Sequence, residues 1–447
     1  MTDGWTEGEQ KPAGQPATAE DDKTTVIVVP PQAPPQVPDA HVPDVHAEAD
    51  VRPKVMLLGS GELSRELAVA LRHLGAQVVA VDEYSHAPAH GVADQSLIIP
   101  MTDADELSKA IRRLTPDFVV TATDAVSVQA LEALEGSQAA GTDDRPTELV
   151  PNARTVRLTA DREGLRRLAA DQLGLPTAPF WFVASVAELK AVADHARFPL
   201  LVKPVAGRGH SVVSGPDDIE PAWQRVVGNA AGAHRPHVMA EAVVEIEFDI
   251  TLLVVRSEGP RGPLIEFCSP IGHRGADGVV LESWQPQQMS AAAVDAAKSI
   301  AARIVKALGG RGVFGVELMI NGDEVYFADV TAHPHQSAWV TLRSQRLSAF
   351  ELQARTILGL PLDTMMMSPG AALAINPGHG GGSPSFAGLT GALGVPESDL
   401  RLFGRGFPPA DARRTLGVAL ATAPDVATAR DRARQVATAL NMRDSRG

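Results

Sequence analysis

FPLLVKPVAGRGHSVV, residues 198–213, is the stretch on which the fold turns. Apolar residues run up to Lys203, Pro204 follows, and Gly207 and Gly209 open a short loop before the chain turns apolar again. Only eight of the 40 basic residues are lysines, so arginine is the default cation and a lysine here stands out. A compact ammonium at the end of a buried strand, beside backbone amides that two glycines leave accessible, suits nucleotide phosphates. Two acids far downstream supply the matching half, Glu317 in FGVELMI and Asp329 in VYFADV. Each lies in an apolar β-like run, and two adjacent strands carrying them would hold Mg2+ against those phosphates. Singly, each residue reads equally well as a solvated side chain at a strand end. The ordered set is what points to a phosphate and metal site.

The bulk properties narrow the class. A chain of 447 residues has room for two or three domains with their own cores. Hydrophobic content of 44% and a mean hydropathy of −0.02 are those of a soluble globular protein. No apolar run reaches the length of a membrane span, and no basic segment followed by an apolar one marks a secretory signal. A single cysteine, Cys268, excludes an internal disulfide and a cysteine metal cluster, so a cytoplasmic location is expected. A net charge of −14 argues against nucleic acid as a partner. Residues 1–50 hold ten acids and two bases, so about −8 of that charge sits in the leader.

That leader, with PPQAPPQVPDAHVPDVH, is rich in proline and acids and is expected to be disordered and partly polyproline-II. His41 and His46 within it are too sparse to suggest a metal tract. From Lys54, KVMLLG, GSGELSRELAVALRHLG and QVVAVD spell strand, helix and strand, and the alternation continues through DFVVTAT. Residues 51–158 therefore read as a parallel α/β domain. Residues 159–370 mix strands with long helices in an α+β pattern. LIEFCSPIGH reads as one strand there, and Ser185 as the cap of the helix SVAELKAVADHA. Residues 371–447 form a small third region with more strand than helix, in which GHGGGSP lacks a following Lys-Ser or Lys-Thr and reads as a hairpin connection.

Gly59, Gly61 and Asp82 stand where a dinucleotide fingerprint would place them. Ser64 replaces the third glycine, and Glu62 lies at the start of the helix, where a pyrophosphate would have to bind. A carboxylate there repels the ligand that the helix terminus would otherwise attract. A nicotinamide dehydrogenase is therefore not the expected class.

The lysine, the glycine loop and the paired carboxylates resemble an ATP-grasp enzyme. KVMLLGSGELSRELAVALRHLG, TADREGLRRLAADQLGLPT, VKPV, GHRGADG, ESWQPQQMS, ALGGRGVFGVELMINGDEVYFADV, PHQSAWVTL, RLFGR and RRTLGVALATA resemble the formate-dependent phosphoribosylglycinamide formyltransferases of purine synthesis. The resemblance runs from about residue 51 to 440. It implies a three-domain, dimeric enzyme with an N-terminal α/β domain, an ATP-grasp domain and a small C-terminal domain. It also implies ATP and Mg2+ as cofactors, formate and a phosphoribosyl amine as small-molecule substrates, and formyl phosphate as intermediate.

By position, the resemblance implies that Arg162, Lys203, Gly207, Arg208 and Gly209 contact the phosphates, with Lys203 and Arg208 as the catalytic cations. Glu241, Ala242, Val243 and Val244 would form the hinge strand that reads adenine through its backbone, and Asp249 would bind the ribose. Glu317 and Asp329 would bind Mg2+. Glu62, Leu63, Asp124 and Gln336 would line the acceptor site, with Arg405, Arg413 and Arg414 on its phosphate. The departures from the family pattern cluster on the acceptor side. The phosphate loop is cut to AGRGHS, the acceptor glutamate is absent from TATDA apart from Asp124, and the family's arginine, aspartate and glycine around the Pro-His pair are His333, Gln336 and Ala338. An amide cannot supply the charge of a carboxylate to an ammonium. Two alternatives follow, a relative acting on another acceptor or carboxylate and a nucleotide-binding paralogue without catalysis.

Overall fold

The computed structural model describes residues 52–139, 146–205, 209–228, 237–259, 261–276, 279–375, 386–403 and 415–441. The leader, the glycine-rich 378–384 segment, and the candidate site residues Gly207, Arg208, Arg405, Arg413 and Arg414 lie outside the described residues.

The N-terminal region forms one parallel sheet from β1 (Lys54–Leu58), β2 (Gln77–Asp82), β3 (Gln95–Ile98), β4 (Phe118–Thr121) and β5 (Glu148–Val150), in the order β3-β2-β1-β4-β5. Continuous apolar sequence makes β1 and β2 central, because helices cover both faces of a parallel sheet. Residues 55–58 and 78–81 are accordingly fully buried. The first helix, Glu62–His73, begins on a carboxylate as the sequence implies and ends before Gly75, whose φ of +87° suits glycine. The acid of the apparent dinucleotide fingerprint has another task. Asp82 accepts a hydrogen bond from the Ser60 N–H at 2.7 Å and so clamps the loop that feeds this helix.

A second, antiparallel sheet carries β6 (Phe180–Val183), β7 (Leu200–Pro204), β8 (Ser211–Val213) and β9 (Val238–Ala242), in the order β6-β9-β7-β8. Leu200, Val202, Val238 and Ala240 point to one face and pack with Leu189, Ala193, Ala222 and Val226 of the helices Val186–Ala196 and Ile219–Gly228. By the two-residue period of a strand, Lys203, Met239 and Glu241 occupy the other face. Ser185 caps its helix as expected, accepting from the Glu188 N–H at 3.2 Å.

The third sheet has nine strands: β10 (Phe248–Gly259), β11 (Gly262–Phe267), β12 (Ile271–Ala276), β13 (Val279–Gln285), β14 (Gly312–Asn321), β15 (Glu324–Thr331), β16 (Gly370–Ile375), β17 (Ser398–Leu402) and β18 (Gly417–Thr422). LIEFCSPIGH, expected as one strand, is two. β11 and β12 pair with successive parts of β10, and the break falls at Cys268–Pro270, where Pro270 has no N–H to give a ladder. The last three strands do not make a sheet of their own, since β16 pairs with β13 and extends the same surface. The helix Ala291–Leu308 covers one face. Ser290 caps its start at 3.0 Å, and Ala293, Ala297, Ile300, Ala301, Ile304 and Leu308 recur at helical spacing against Leu252, Val254, Val316 and Leu318. Each buried Ile, Leu or Val side chain among them contributes about 1.5–3 kcal/mol. The helix thereby fixes which residues of β10 and β14 are left to face the other way. Among the described residues no helix is long and apolar enough to cross a membrane.

Candidate active site

The cross-strand register builds the site on the face of the nine-stranded sheet opposite the helix Ala291–Leu308, beside the part of that face where Leu253, Val255 and Val313 pack against the helix Ala349–Ile357. Thr251 of β10 is opposite Glu317 of β14, Asp249 is opposite both Met319 and His273 of β12, and Glu317 is opposite Asp329 of β15. Paired residues share a face, so Asp249, Thr251, His273, Glu317 and Asp329 are gathered on one surface. Their side chains come from four strands and from positions up to 80 residues apart in sequence.

Glu317 is half-buried, and its Oε1 lies 3.1 Å from His335 Nε2. The Ser337 N–H donates to His335 Nδ1 at 3.2 Å, which leaves Nε2 as the ring nitrogen that faces Glu317. Burial pushes the Glu317 carboxyl up, but the His335 ring, then His273 and Lys203, hold it well below the usual range. Asp329 moves the other way. Burial and the facing Glu317 carboxylate raise it, against the pull of Arg162 and Arg166. Asp249 is exposed at the rim, where neighbouring protein and Glu317 push its carboxyl up and Lys203 pulls it down. The Glu317 carboxylate raises the proton affinity of both Asp249 and Asp329, so a divalent cation beside them would relieve that repulsion. Hard oxygen donors of this kind suit Mg2+, which keeps several water or phosphate ligands. Among the described residues no group of three or more His, Cys, Asp or Glu is placed to hold a metal ion by itself, so phosphate oxygens and water would have to supply the remaining ligands.

The opposing wall comes from the four-stranded sheet. Lys203 Nζ forms an ion pair with Glu241 Oε2, and Arg166 Nη2 approaches Glu241 Oε1 at 3.3 Å. Glu241 and Arg166 are each only 3% exposed. Burial raises the Glu241 carboxyl, yet Lys203 and Arg166 outweigh it and leave the group below its ordinary value. Arg162, one turn before Arg166, donates to the Pro204 carbonyl, and its own N–H reaches Val205 O at 3.2 Å. Three cations therefore converge where β7 ends. Gly209 follows with φ of +96°, a conformation that glycine adopts without strain.

The structure separates the candidate residues into groups. Lys203, Arg162, Glu241, Asp249, Glu317 and Asp329 are brought together. Glu241 enters through its carboxylate, which the reading of residues 241–244 as a backbone contact did not anticipate. The Ala242 N–H donates to Pro179 O at 2.9 Å and the Val243 N–H to Pro199 O at 3.4 Å. On the acceptor side, Leu63 packs against the core beside Glu62, and Asp124 is exposed in the loop after β4. Arg401 of β17 lies 3.6 Å from Glu66, which sets the first helix against the strand leading toward Arg405. Gln336 Oε1 accepts from the Val280 N–H of β13 at 3.2 Å. Arg166, His273 and His335 were not singled out in the sequence. The only local signal was the four-residue spacing of Arg162 and Arg166, which puts both on one helix face.

A strand lysine and two arginines of the helix Arg162–Arg167, brought close to carboxylates on a second sheet, define the class as ATP-grasp. A family description reading "ATP-grasp domain" matches residues 168–350, and one reading "PurT, C-terminal" matches residues 370–440. Formate-dependent phosphoribosylglycinamide formyltransferase of Corynebacterium glutamicum is 47% identical over 394 residues, covering 87% of this chain and 94% of the relative. The protein of the same description from Paraburkholderia xenovorans is 44% identical over 392 residues, covering 87% and 95%. A solved structure titled glycinamide-RNase-transformylase T from Mycobacterium tuberculosis is 66% identical, with a TM-score of 0.73, over 87% of this chain and all of that one. Carboxyaminoimidazole ribonucleotide synthase from Aspergillus clavatus, solved with ATP, has a TM-score of 0.74 at 23% identity over 87% of this chain and 98% of that one, and so shares the fold. The chain belongs to the formate-dependent phosphoribosylglycinamide formyltransferase family.

Proposed function

We propose that this protein uses ATP to join formate to the amine of phosphoribosyl glycinamide, releasing ADP and phosphate. The observation that carries the reading is the convergence of Lys203, Arg162 and Arg166 on the neighbourhood of Glu317 and Asp329, in a chain of this family. Formate is a poor acylating agent because its oxygen leaves badly. A formate oxygen attacks the γ-phosphorus, the bond to ADP breaks, and formyl phosphate forms. The amine nitrogen then attacks the formyl carbon, phosphate leaves with the C–O electron pair, and the nitrogen loses its proton.

The protein's part is positioning and charge neutralisation rather than a covalent nucleophile. Lys203 and Arg162 take phosphate charge on one wall. Glu317 and Asp329, with Asp249 beside them, would hold Mg2+, which neutralises the transferring phosphoryl group. Enclosure between the sheets protects the mixed anhydride from water. Arg208 would add a cation to the short phosphate loop, and Arg405, Arg413 and Arg414 would clamp the substrate phosphate. The substrates are small molecules, and a cytoplasmic homodimer is the expected form. Family membership does not favour a different acceptor or a non-catalytic paralogue. The test is an assay in which ATP, formate and phosphoribosyl glycinamide are omitted in turn. ADP and formylated product forming together only in the complete mixture supports the reading, and ADP release indifferent to formate contradicts it.

A further inference from the structure

The register between β14 and β15 shifts by one residue inside the site. Leu318 is opposite Phe327, but Glu317 is opposite Asp329, so Ala328 is an extra residue without a ladder partner. The shift decides where Asp329 points. Continuing the Leu318–Phe327 register would set Asp329 opposite Val316, which is fully buried in the core under the helix Ala291–Leu308. One residue of slip moves a side chain to the other face of a sheet. The bulge is therefore what turns Asp329 toward Glu317.

A bulge leaves a backbone carbonyl in need of a donor. Arg166 supplies it, with Nη2 at 3.0 Å from Ala328 O and Nη1 at 3.4 Å from Phe327 O. The same guanidinium reaches Glu241 at 3.3 Å and lies over the Phe180 ring at 5.6 Å from its centre. Asp329 Oδ1 also accepts from the Val330 N–H at 2.8 Å, which fixes its rotamer from the other side of the bulge.

We infer that Arg166 is a positioning residue, locking the Ala328 bulge so that Asp329 faces Glu317 while Glu241 ties that lock to Lys203. The inference rests on the reading that Asp329 holds the divalent cation. A planar, always-charged fork is needed to reach two successive carbonyls and a carboxylate at once, which a lysine cannot do.

The experiment is titration of the full chain with Mn2+, with a non-hydrolysable ATP analogue bound, followed by electron paramagnetic resonance of free Mn2+. Groups that orient metal ligands alter affinity by about 10-fold or more when removed. Asp329→Asn is expected to weaken Mn2+ binding by about that factor, as is Arg166→Met. The double variant is expected to bind no more weakly than Asp329→Asn alone, because Arg166 acts through Asp329. Arg166→Lys keeps a charge beside Glu241 and serves if the methionine variant fails to fold; it too is expected to weaken Mn2+ binding. Unchanged affinity in Asp329→Asn would overturn the cation reading itself. A loss in Asp329→Asn with wild-type affinity in the Arg166 variants, or with losses that multiply in the double variant, would overturn the positioning role alone.

Discussion

Lys203 and Glu241 are ion-paired across adjacent strands, and the pair is arranged so that Glu241 does not depend on Lys203 alone. Arg166 holds the second carboxylate oxygen at 3.3 Å in a nearly solvent-free position. Removing Lys203 therefore leaves Glu241 with a partner. Lys203→Ala is expected to keep the fold but weaken ATP binding by about 1.5–3 kcal/mol, the range of a charge-assisted hydrogen bond. Calorimetric titration with ATP checks this, and equal affinity in the two proteins would remove Lys203 from the nucleotide site.

Glu317 is the more readily ionised member of the facing pair, since His335 and its neighbours hold its carboxyl low while Asp329 is pushed up. Glu317→Gln is expected to raise the Mg2+ concentration needed for half-maximal turnover by about 10-fold or more. Titrating activity against Mg2+ at saturating ATP reads this directly. An unchanged requirement with lowered turnover would place Glu317 in another role.

His273 gives a pH signature. Burial, then the adjacent His335 ring, push it down from 6.5 to about 4, against the pull of Glu317. Between those values the unfolded chain binds a proton at this side chain and the folded chain does not, so stability rises with pH. On acidification the penalty builds from pH 6.5 toward pH 4. His273→Gln is expected to lose less stability than wild type between pH 7 and about pH 4.5, by equilibrium urea unfolding at both values. Equal losses would mean that the folded protein charges His273 as easily as water does.

Glu282 is only 1% exposed and is shared by three arginines, Arg274 at 2.6 Å, Arg430 at 3.0 Å and Arg434 at 2.9 Å. Arg430 also stacks on Trp284 at 3.9 Å. This knot ties β12 and β13 to the helix Val426–Asn441. Glu282→Ala leaves Arg274 and Arg430 crowded without this counter-ion, while Arg434 keeps Asp431 at 2.8 Å. A loss above about 1 kcal/mol, the value of a surface pair, is expected because Glu282 itself is buried. Denaturant unfolding measures it, and a smaller change would show the knot to be solvated.

The parts of this site that were legible in sequence are those that local pattern reports. Strand–helix alternation marked the parallel sheet, and apolar runs around Lys203, Glu317 and Asp329 marked the strands that carry them. Nothing local reports a one-residue bulge between β14 and β15, because Ala328 looks like any strand residue until its partner strand is known. Arg166 and Glu241 are 75 residues apart, and His335 meets Glu317 and Thr251 only through tertiary packing. The same lack of register made Asp82 resemble a ribose-binding acid when it clamps Ser60, and nothing local reports that the Gln336 oxygen accepts from the Val280 N–H. The split of LIEFCSPIGH at Cys268–Pro270 was legible in principle, since Pro270 interrupts any ladder, but both halves keep strand composition.

The route through formyl phosphate fixes the fate of one oxygen atom. Formate oxygen becomes bonded to the transferred phosphorus and stays there when the amine displaces phosphate. The decisive measurement is turnover with 18O-labelled formate, ATP and phosphoribosyl glycinamide, followed by mass spectrometry of the inorganic phosphate. One 18O atom in each phosphate released, with formylated product in equal amount, is the expected result. Unlabelled phosphate, or labelled phosphate without formylated product, would contradict formyl transfer to this acceptor through a mixed anhydride.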